Sequence, residues 1–333
     1  MIPVLNEARY INECLDSVMA QDYPRIIEII VADGGSNDGT QATVAQRAET
    51  DHRIRLLDNP GRNQAAGLNV AIRASRGEVV ARLDGHAAWR PWHVRRCVEL
   101  LEEWGADNVG GTMDGRGQTV LARAVARASA SPFGVGGAGY RYGTRVAPRD
   151  TVFLGCFRRT ALDRVGEFDE AAAPHEDYEL NTRIRETGGL IIFSPEIPTT
   201  YYTRPTWRRL ATQFFRYGEA KSRVARRRPA VLRPYHLVPP AAVLAAGFAA
   251  AALVSGRGRR PAKVGLLAYA VAALGASLRA GSGETASVRV LIPAVFLVIH
   301  VAWGTGFWVG LVRDRGPRRS RLKSQGDLRR PTG

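Results

Sequence analysis

The sequence predicts an α/β fold: a Rossmann-like, mostly parallel sheet flanked by helices, followed by a helical membrane region. Three observations carry this. From the start to Asp84, short β-rich runs alternate with segments of helical periodicity, the order of a repeated β-α unit. Val79, Val80, Ala81 and Leu83 form a nearly continuous apolar run, as expected of a strand buried on both faces of a parallel sheet, and Asp84 follows at its carboxyl end. Beyond residue 236 come three long apolar stretches.

A net charge of +16 first suggests nucleic acid, but its distribution argues otherwise. Residues 1–200 hold 23 Lys plus Arg against 27 Asp plus Glu, so the excess of basic residues sits entirely in the last 133 residues. A mildly acidic globular part joined to a basic, alanine-rich remainder fits a cytosolic domain on a membrane, not a nucleic-acid binder with a basic face. Cys14, Cys97 and Cys156 are scattered without metal-ligand spacing and read as reduced thiols. No secretory signal is read ahead of the first motif.

In chain order, Pro3 to Glu7 is the end of a strand that looks clipped, running into a turn. Ile11, Leu15, Val18 and Met19 share one helical face, with Asn6 or Asn12 as N-cap, and Tyr23-Pro24 ends that helix. Ile26 to Ala32 is a strand that delivers Asp33 into Gly34-Gly35-Ser36-Asn37-Asp38-Gly39-Thr40. In this strand, glycine turn and helix, backbone N–H groups and a carboxylate can face a nucleotide, although neither a Walker loop nor a dinucleotide fingerprint is present. A helix over 41–48 and a strand over 54–57 follow. The loop Asn59-Pro60-Gly61-Arg62 then enters a helix, where Arg62 and the helix N-terminus can hold a phosphate. Asp84, with His86 beyond one glycine, offers an oxygen and a nitrogen ligand to one cation.

Four motifs in register, Pro3-Val4-Leu5-Asn6-Glu7, Asp33 to Thr40, Gly67-Leu68-Asn69 and Leu83-Asp84-Gly85-His86, resemble the family 2 glycosyltransferases of GT-A fold. The Asp-Gly-His form, with Ser131 to Gly137, is similar to the succinoglycan-type exopolysaccharide branch. The resemblance covers roughly residues 1–220. It implies a UDP-sugar donor held by Pro3, Leu5, Glu7, Asp33, Arg62, Arg82 and Asp84, with Asp33 on the uracil. It also implies a Mg²⁺ or Mn²⁺ at Asp84, bridging the diphosphate. His86 stands where the family usually has a second carboxylate, so it either joins the metal or only hydrogen-bonds a phosphate. An imidazole suits Mn²⁺ better than Mg²⁺.

Residues 89–104 read as a packed amphipathic helix and 108–111 as a strand. Pro132 to Arg149, rich in Gly, Tyr and Arg, reads as a loop near the site, for the acceptor or as a lid, or as plain surface. A strand over 151–157 and a short helix from Arg158 lead to His175-Glu176-Asp177 at the start of another helix. There the acids suit the helix dipole, and the resemblance makes Asp177 the base that deprotonates the acceptor hydroxyl, with Glu176 in support. Ile191 to Ser194, Ile197 and Tyr201-Tyr202 lead out of the domain, whose expected extent is 1–203.

Residues 204–235 read as basic, amphipathic membrane-interface helices. Within them Gln213-Phe214-Phe215-Arg216-Tyr217 is similar to the Gln-x-x-Arg-Trp element of processive synthases, which places Gln213, Arg216 and Tyr217 at the acceptor. Residues 236–312 hold two or three transmembrane or re-entrant helices, and 313–333 form a basic, disordered tail. The stretch 290–312 is long enough to cross a core of about 30 Å. The stretch 264–278 reaches roughly 22 Å and spans if Lys263 and Arg279 snorkel. The stretch 237–254 crosses or only re-enters. The positive clusters favour an even count, the second and third stretches crossing. The function expected is a membrane-associated inverting transfer of a hexose, foremost glucose, to a lipid-linked saccharide at the cytoplasmic face of the inner membrane. A polyprenyl-phosphate monoglycosyltransferase and a non-catalytic nucleotide-sugar scaffold are the alternatives.

Overall fold

The computed structural model describes residues 1–117, 119–202 and 206–313; the expected tail beyond Arg313, and Arg204-Pro205 at the start of the interface segment, lie outside them. In chain order the elements are β1 (Ile2–Val4), α1 (Ile11–Met19), β2 (Ile29–Asp33), α2 (Thr40–Thr50), β3 (Ile54–Asp58), α3 (Gln64–Ala74), β4 (Val79–Ala81), β5 (Ala87–Trp89), α4 (His93–Trp104), β6 (Asn108–Arg116), α5 (Val120–Ser129), α6 (Pro132–Val135), β7 (Ala147–Pro148), β8 (Phe153–Arg158), α7 (Arg159–Val165), α8 (Glu176–Glu186), β9 (Ile191–Tyr202), α9 (Trp207–Arg227), α10 (Val238–Ser255), α11 (Arg259–Ala280) and α12 (Ala286–Val312).

β1, β2 and β3 pair in parallel. Met1 joins them to β4, because its ammonium donates to the Ala81 carbonyl and its carbonyl accepts from Leu83 N–H. One residue bonded to two partners two apart is the parallel pattern. The sheet thus runs β3-β2-β1-β4-β8-β6-β9-β5, with β7 against β9. Its first four strands are parallel and the rest is mixed, since β8 runs antiparallel to both β4 and β6 while β6 and β9 are parallel. The parallel pairing is thus continuous where short β-α units repeat, and the remainder of the sheet is mixed. β4 is also less covered than expected: Val80 and Leu83 are buried, but Val79 and Ala81 are half-buried.

Three other local expectations shift. Asn6 caps no helix, since α1 starts after Tyr10 without a side-chain cap. Instead Asn6 adopts φ 59°, accepts from Asn37 N–H at 2.9 Å, and donates its own N–H to Ser36 Oγ at 2.8 Å. Trp89 lies in β5, and the helix begins at His93. β9 continues to Tyr202, paired with β5 through Ala87 and Tyr201, so these tyrosines stay in the sheet.

The helices after residue 206 form a second layer. α9 buries Leu210, Phe214 and Gly218 against α12, where a Cβ on Gly218 or Gly306 would overlap the facing backbone. Such close approach of two helices needs a residue without a side chain. The other part of α12 packs Val288, Ile292, Val295 and Phe296 on Ala124, Val125 and Ala128 of α5. α10, α11 and α12 are each long and apolar enough to cross a membrane.

Candidate active site

The carboxyl ends of the parallel strands carry the first group of polar residues, where open α/β sheets place ligands. Asp33 ends β2, and its Oδ1 accepts from Gly35 N–H and Ser36 N–H, each at 2.8 Å, and from Gln41 Nε2 at 2.6 Å. Burial works against its charge, yet these donors hold its pKa below the usual carboxylate value. Its Oδ2 is buried without a partner among the described residues, an acceptor turned to no protein donor. Arg62, at φ 52°, packs its guanidinium beside the Gly34-Gly35 turn. Leu5 is exposed beside the same turn, while Pro3 is buried under α3 against Gly67. The Glu7 N–H donates to Thr40 Oγ1 at 2.9 Å, and Glu7 Oε1 lies 2.8 Å from His86 Nδ1.

Arg82 is the centre of the second group. Its side chain is 3% exposed, it bonds Asp84 Oδ1 through Nε and Nη2 at 3.2 Å, it is ion-paired with Asp177, and its Nη1 lies 3.7 Å from Glu176 Oε1. Asp84 and Asp177 therefore share one arginine although 95 residues separate Arg82 from Asp177. Gln64, the first residue of α3, donates to Asp84 Oδ1 at 2.9 Å. One cation for three carboxylates leaves the cluster formally anionic. Burial pushes Glu176 up to about 7, the Asp177 charge adds to this, and Arg82 opposes it. Burial likewise raises Asp177 against the pull of Arg82. Asp177 remains 29% exposed, whereas Glu176 is buried with Oε2 unpartnered among the described residues. This suits Asp177 to meet a substrate and Glu176 to stay behind it.

His86 is held by the protein through one ring nitrogen and one ring edge. Its Nδ1 is turned to Glu7, and its ring stands edge-on to Tyr201 at 4.7 Å. Burial disfavours its charge, but the Glu7 bond and the Asp84 field outweigh this and raise its pKa. Only Nε2 is left to face a ligand.

The segment 132–149 does reach the site. Arg141 lies over the Tyr140 ring at 5.4 Å; Tyr140 stacks on Phe153, which packs edge-on to Tyr201. Its charge also acts on Tyr217 and Tyr201. Tyr217 is joined to α8, because His175 Nε2 lies 2.7 Å from its carbonyl oxygen, and Gln213 Nε2 donates to its hydroxyl at 2.9 Å. Arg216 is exposed on the same helix. Sequence reasoning missed Gln64, Arg141 and Tyr201. Gln64 had a signal, being the first polar side chain of the helix after the Arg62 loop; Tyr201 had none, since only strand pairing sets it beside His86.

The model for the family "Glycosyl transferase family 2" matches residues 1–166. The succinoglycan biosynthesis protein ExoA of Rhizobium meliloti (strain 1021) is 30% identical over 317 residues, 95% of each chain. A dolichyl N-acetyl-alpha-D-glucosaminyl phosphate 3-beta-D-2,3-diacetamido-2,3-dideoxy-beta-D-glucuronosyltransferase of Methanococcus voltae is 27% identical, covering 68% of this chain and 73% of its own. Among solved structures, the mannosyltransferase PcManGT from Pyrobaculum calidifontis in complex with GDP-Man and Mn²⁺ superposes with a TM-score of 0.63 and 25% identity, over 91% of this chain and 85% of the other. With the GT-A-type sheet and a relative aligned over nearly its whole length, the chain belongs to glycosyl transferase family 2 and is a glycosyltransferase.

Proposed function

We propose that the protein transfers a hexose, foremost glucose from UDP-glucose, to a lipid-linked saccharide with inversion, in exopolysaccharide or cell-envelope synthesis at the cytoplasmic face of the inner membrane. The observation that carries this reading is Arg82, which holds Asp84 and Asp177 in one site. Asp177 takes the proton of the acceptor hydroxyl as its oxygen attacks the anomeric carbon, and Glu176 and Arg82 fix its position. Asp33 Oδ2, the buried acceptor without a partner among the described residues, is the group left to read the donor base. The relatives support the substrate classes: one acts in succinoglycan biosynthesis, one carries a dolichyl phosphate sugar in its name, and the solved mannosyltransferase binds GDP-Man with Mn²⁺.

The residues fit a divalent ion in an open site. Among the described residues Asp84 takes its side-chain hydrogen bonds on Oδ1 alone, which leaves Oδ2 to a cation. Among the described residues no group of three or more His, Cys, Asp or Glu could enclose one. One or two protein ligands completed by substrate phosphate oxygens is the usual arrangement for Mg²⁺. Asp84 would hold the ion, with His86 Nε2 as the second ligand or a phosphate donor. When bound, Mg²⁺ or Mn²⁺ neutralises the departing diphosphate.

The even number of crossings falls to α10 and α11 and not to α11 and α12. α12 lies lengthwise on α5 and α9. The turn before α12 is held to α5 by Glu284, paired with Arg123 and Arg127, and its end by Arg226, which donates to the Gly310 and Leu311 carbonyls at 3.0 Å. One end thus rests on α5 and the other on α9, which Arg228 ties to Glu179 and Glu186 of α8, so α10 and α11 cross as a pair or not at all. Single cysteines at Ser282 and Arg313 should be labelled from the catalytic side in sealed vesicles; labelling of Arg313→Cys from the other side removes this topology. For the activity, nucleotide release from a panel of UDP- and GDP-sugars, with Mn²⁺ or Mg²⁺ and a membrane lipid extract, is the test. UDP-glucose turnover that depends on the lipid extract is the expected result. Turnover with polyprenyl phosphate alone would instead mark a monoglycosyltransferase, and no turnover with any donor would leave only the scaffold.

A further inference from the structure

Arg208 and Arg209 occupy the first turn of α9, and Arg216 follows two turns later. All three are exposed, and none has an ion pair or side-chain hydrogen bond among the described residues. Their placement is unfavourable in isolation. A helix N-terminus carries positive partial charge and repels cations, and Arg208 and Arg209 also repel each other. At the other end of the helix two arginines are satisfied: Arg226 caps α12 carbonyls and Arg228 pairs with Glu186. The three unpaired guanidinium groups line one open groove of about 700 Å³, together with Thr212, Gln213 and Tyr217.

Two walls of this groove relate it to the reaction. Pro174 is part of its lining and lies three residues before Asp177, and the Tyr217 carbonyl is bonded to His175. Opposite the groove, α9 is packed through Gly218 and Phe214 on apolar α12. The groove therefore lies between the base and the apolar layer. None of the donor-side residues Asp33, Arg62 or Asp84 lines it.

We infer that this groove binds the phosphate of the acceptor, a polyprenyl-phosphate- or diphosphate-linked saccharide. Arg208, Arg209 and Arg216 take the phosphate oxygens, with Thr212 and Gln213 as neutral donors. The apolar tail then runs toward the α10–α12 layer and the sugar toward Asp177. Arginine suits this task because its planar fork matches phosphate oxygens and its charge does not titrate. The direction of the sugar rests on the proposed function; the binding of the lipid phosphate does not.

The test uses the full chain in neutral detergent, with saturating UDP and Mg²⁺ to block the donor side, and titrates farnesyl diphosphate, farnesol and inorganic pyrophosphate. Farnesyl diphosphate should bind with an affinity that falls as salt rises, and more tightly than pyrophosphate or farnesol. The R208Q/R209Q variant should weaken it at least about tenfold, the range of a lost charge-assisted bond; R208K/R209K should recover part of this. Flotation on phosphatidylglycerol vesicles should change less than about twofold, since α10 and α11, long and apolar enough to cross a bilayer, hold the chain there whatever the two charges contribute. Unchanged farnesyl diphosphate affinity in R208Q/R209Q overturns the inference, as does a loss confined to vesicle flotation, which would assign the arginines to bulk headgroups. If the arginine-dependent binding is found and no sugar donor turns over, the proposed function fails while the lipid-phosphate site stands. If lipid-linked acceptor turns over with unchanged KM in R208Q/R209Q, the site fails while the function stands.

Discussion

At the centre of the site one buried arginine, Arg82, is shared by Asp84, Glu176 and Asp177, whereas on α9 three exposed arginines meet no carboxylate among the described residues. The two regions are incomplete in opposite senses. The inner cluster has more anion than cation and sits where desolvation makes each charge costly. The outer groove has cations only and sits in water, where the cost is small. The difference separates what holds the fold from what awaits a ligand: removal of an inner charge should be felt in stability and turnover, removal of an outer one in binding alone.

The largest expected effect is on the inner side. Asp177→Asn keeps the shape of the base and removes its proton affinity, so kcat should fall by about 10²–10⁴ with UDP affinity nearly unchanged. Steady-state kinetics beside a UDP titration measure both; a kcat within tenfold of wild type removes Asp177 as the base.

Next in size is Arg82→Gln, which leaves three carboxylates in mutual repulsion and should lower stability by about 3–5 kcal/mol, the range for breaking a buried pair. The exposed R208Q should stay within about 0.5 kcal/mol. Denaturant unfolding of the two variants compares the regions directly. Equal losses would mean that burial is not what divides them.

A smaller effect is expected where α9 meets α12. A side chain on Gly306 would overlap the Phe215 carbonyl, so Gly306→Leu should cost about 1–3 kcal/mol by overpacking. Thermal unfolding reads this, and a raised acceptor KM would show that the groove depends on the contact.

The smallest effect is one of pH. Burial raises Glu176 from its usual 4.5 to about 7, so the folded state holds this proton more tightly than the unfolded chain does. Its contribution to stability is complete below the unfolded value and is lost as pH rises through 7. Glu176→Gln should remove that component, and unfolding free energies at pH 5 and 8 should differ less in the variant than in wild type. An identical pH slope in both would show that Glu176 is ionised throughout.

Much of the fold and part of the site could be read along the chain. The β-α repeats, Asp33 and Asp84 at strand ends, and the acids opening α8 are local signals, each fixed by a few neighbouring residues. What escaped depended on partners far away. Arg82 joins Asp84 to Asp177, and His86 turns one ring nitrogen to Glu7. α10 and α12 show the same limit: both are apolar enough to cross a membrane, yet the most apolar part of α10 is 6% buried and that of α12 39%.

By itself the sequence determined which segments become strands and helices, which are apolar, and which carboxylates lie where a strand or helix ends, because periodicity and dipole effects act within a turn or two. Tertiary structure alone decided that Asp84 and Asp177 share Arg82, that Tyr201 meets His86, and that α12 covers α9. Those outcomes follow from strand order and helix packing, which bring together residues whose local surroundings carry no trace of one another.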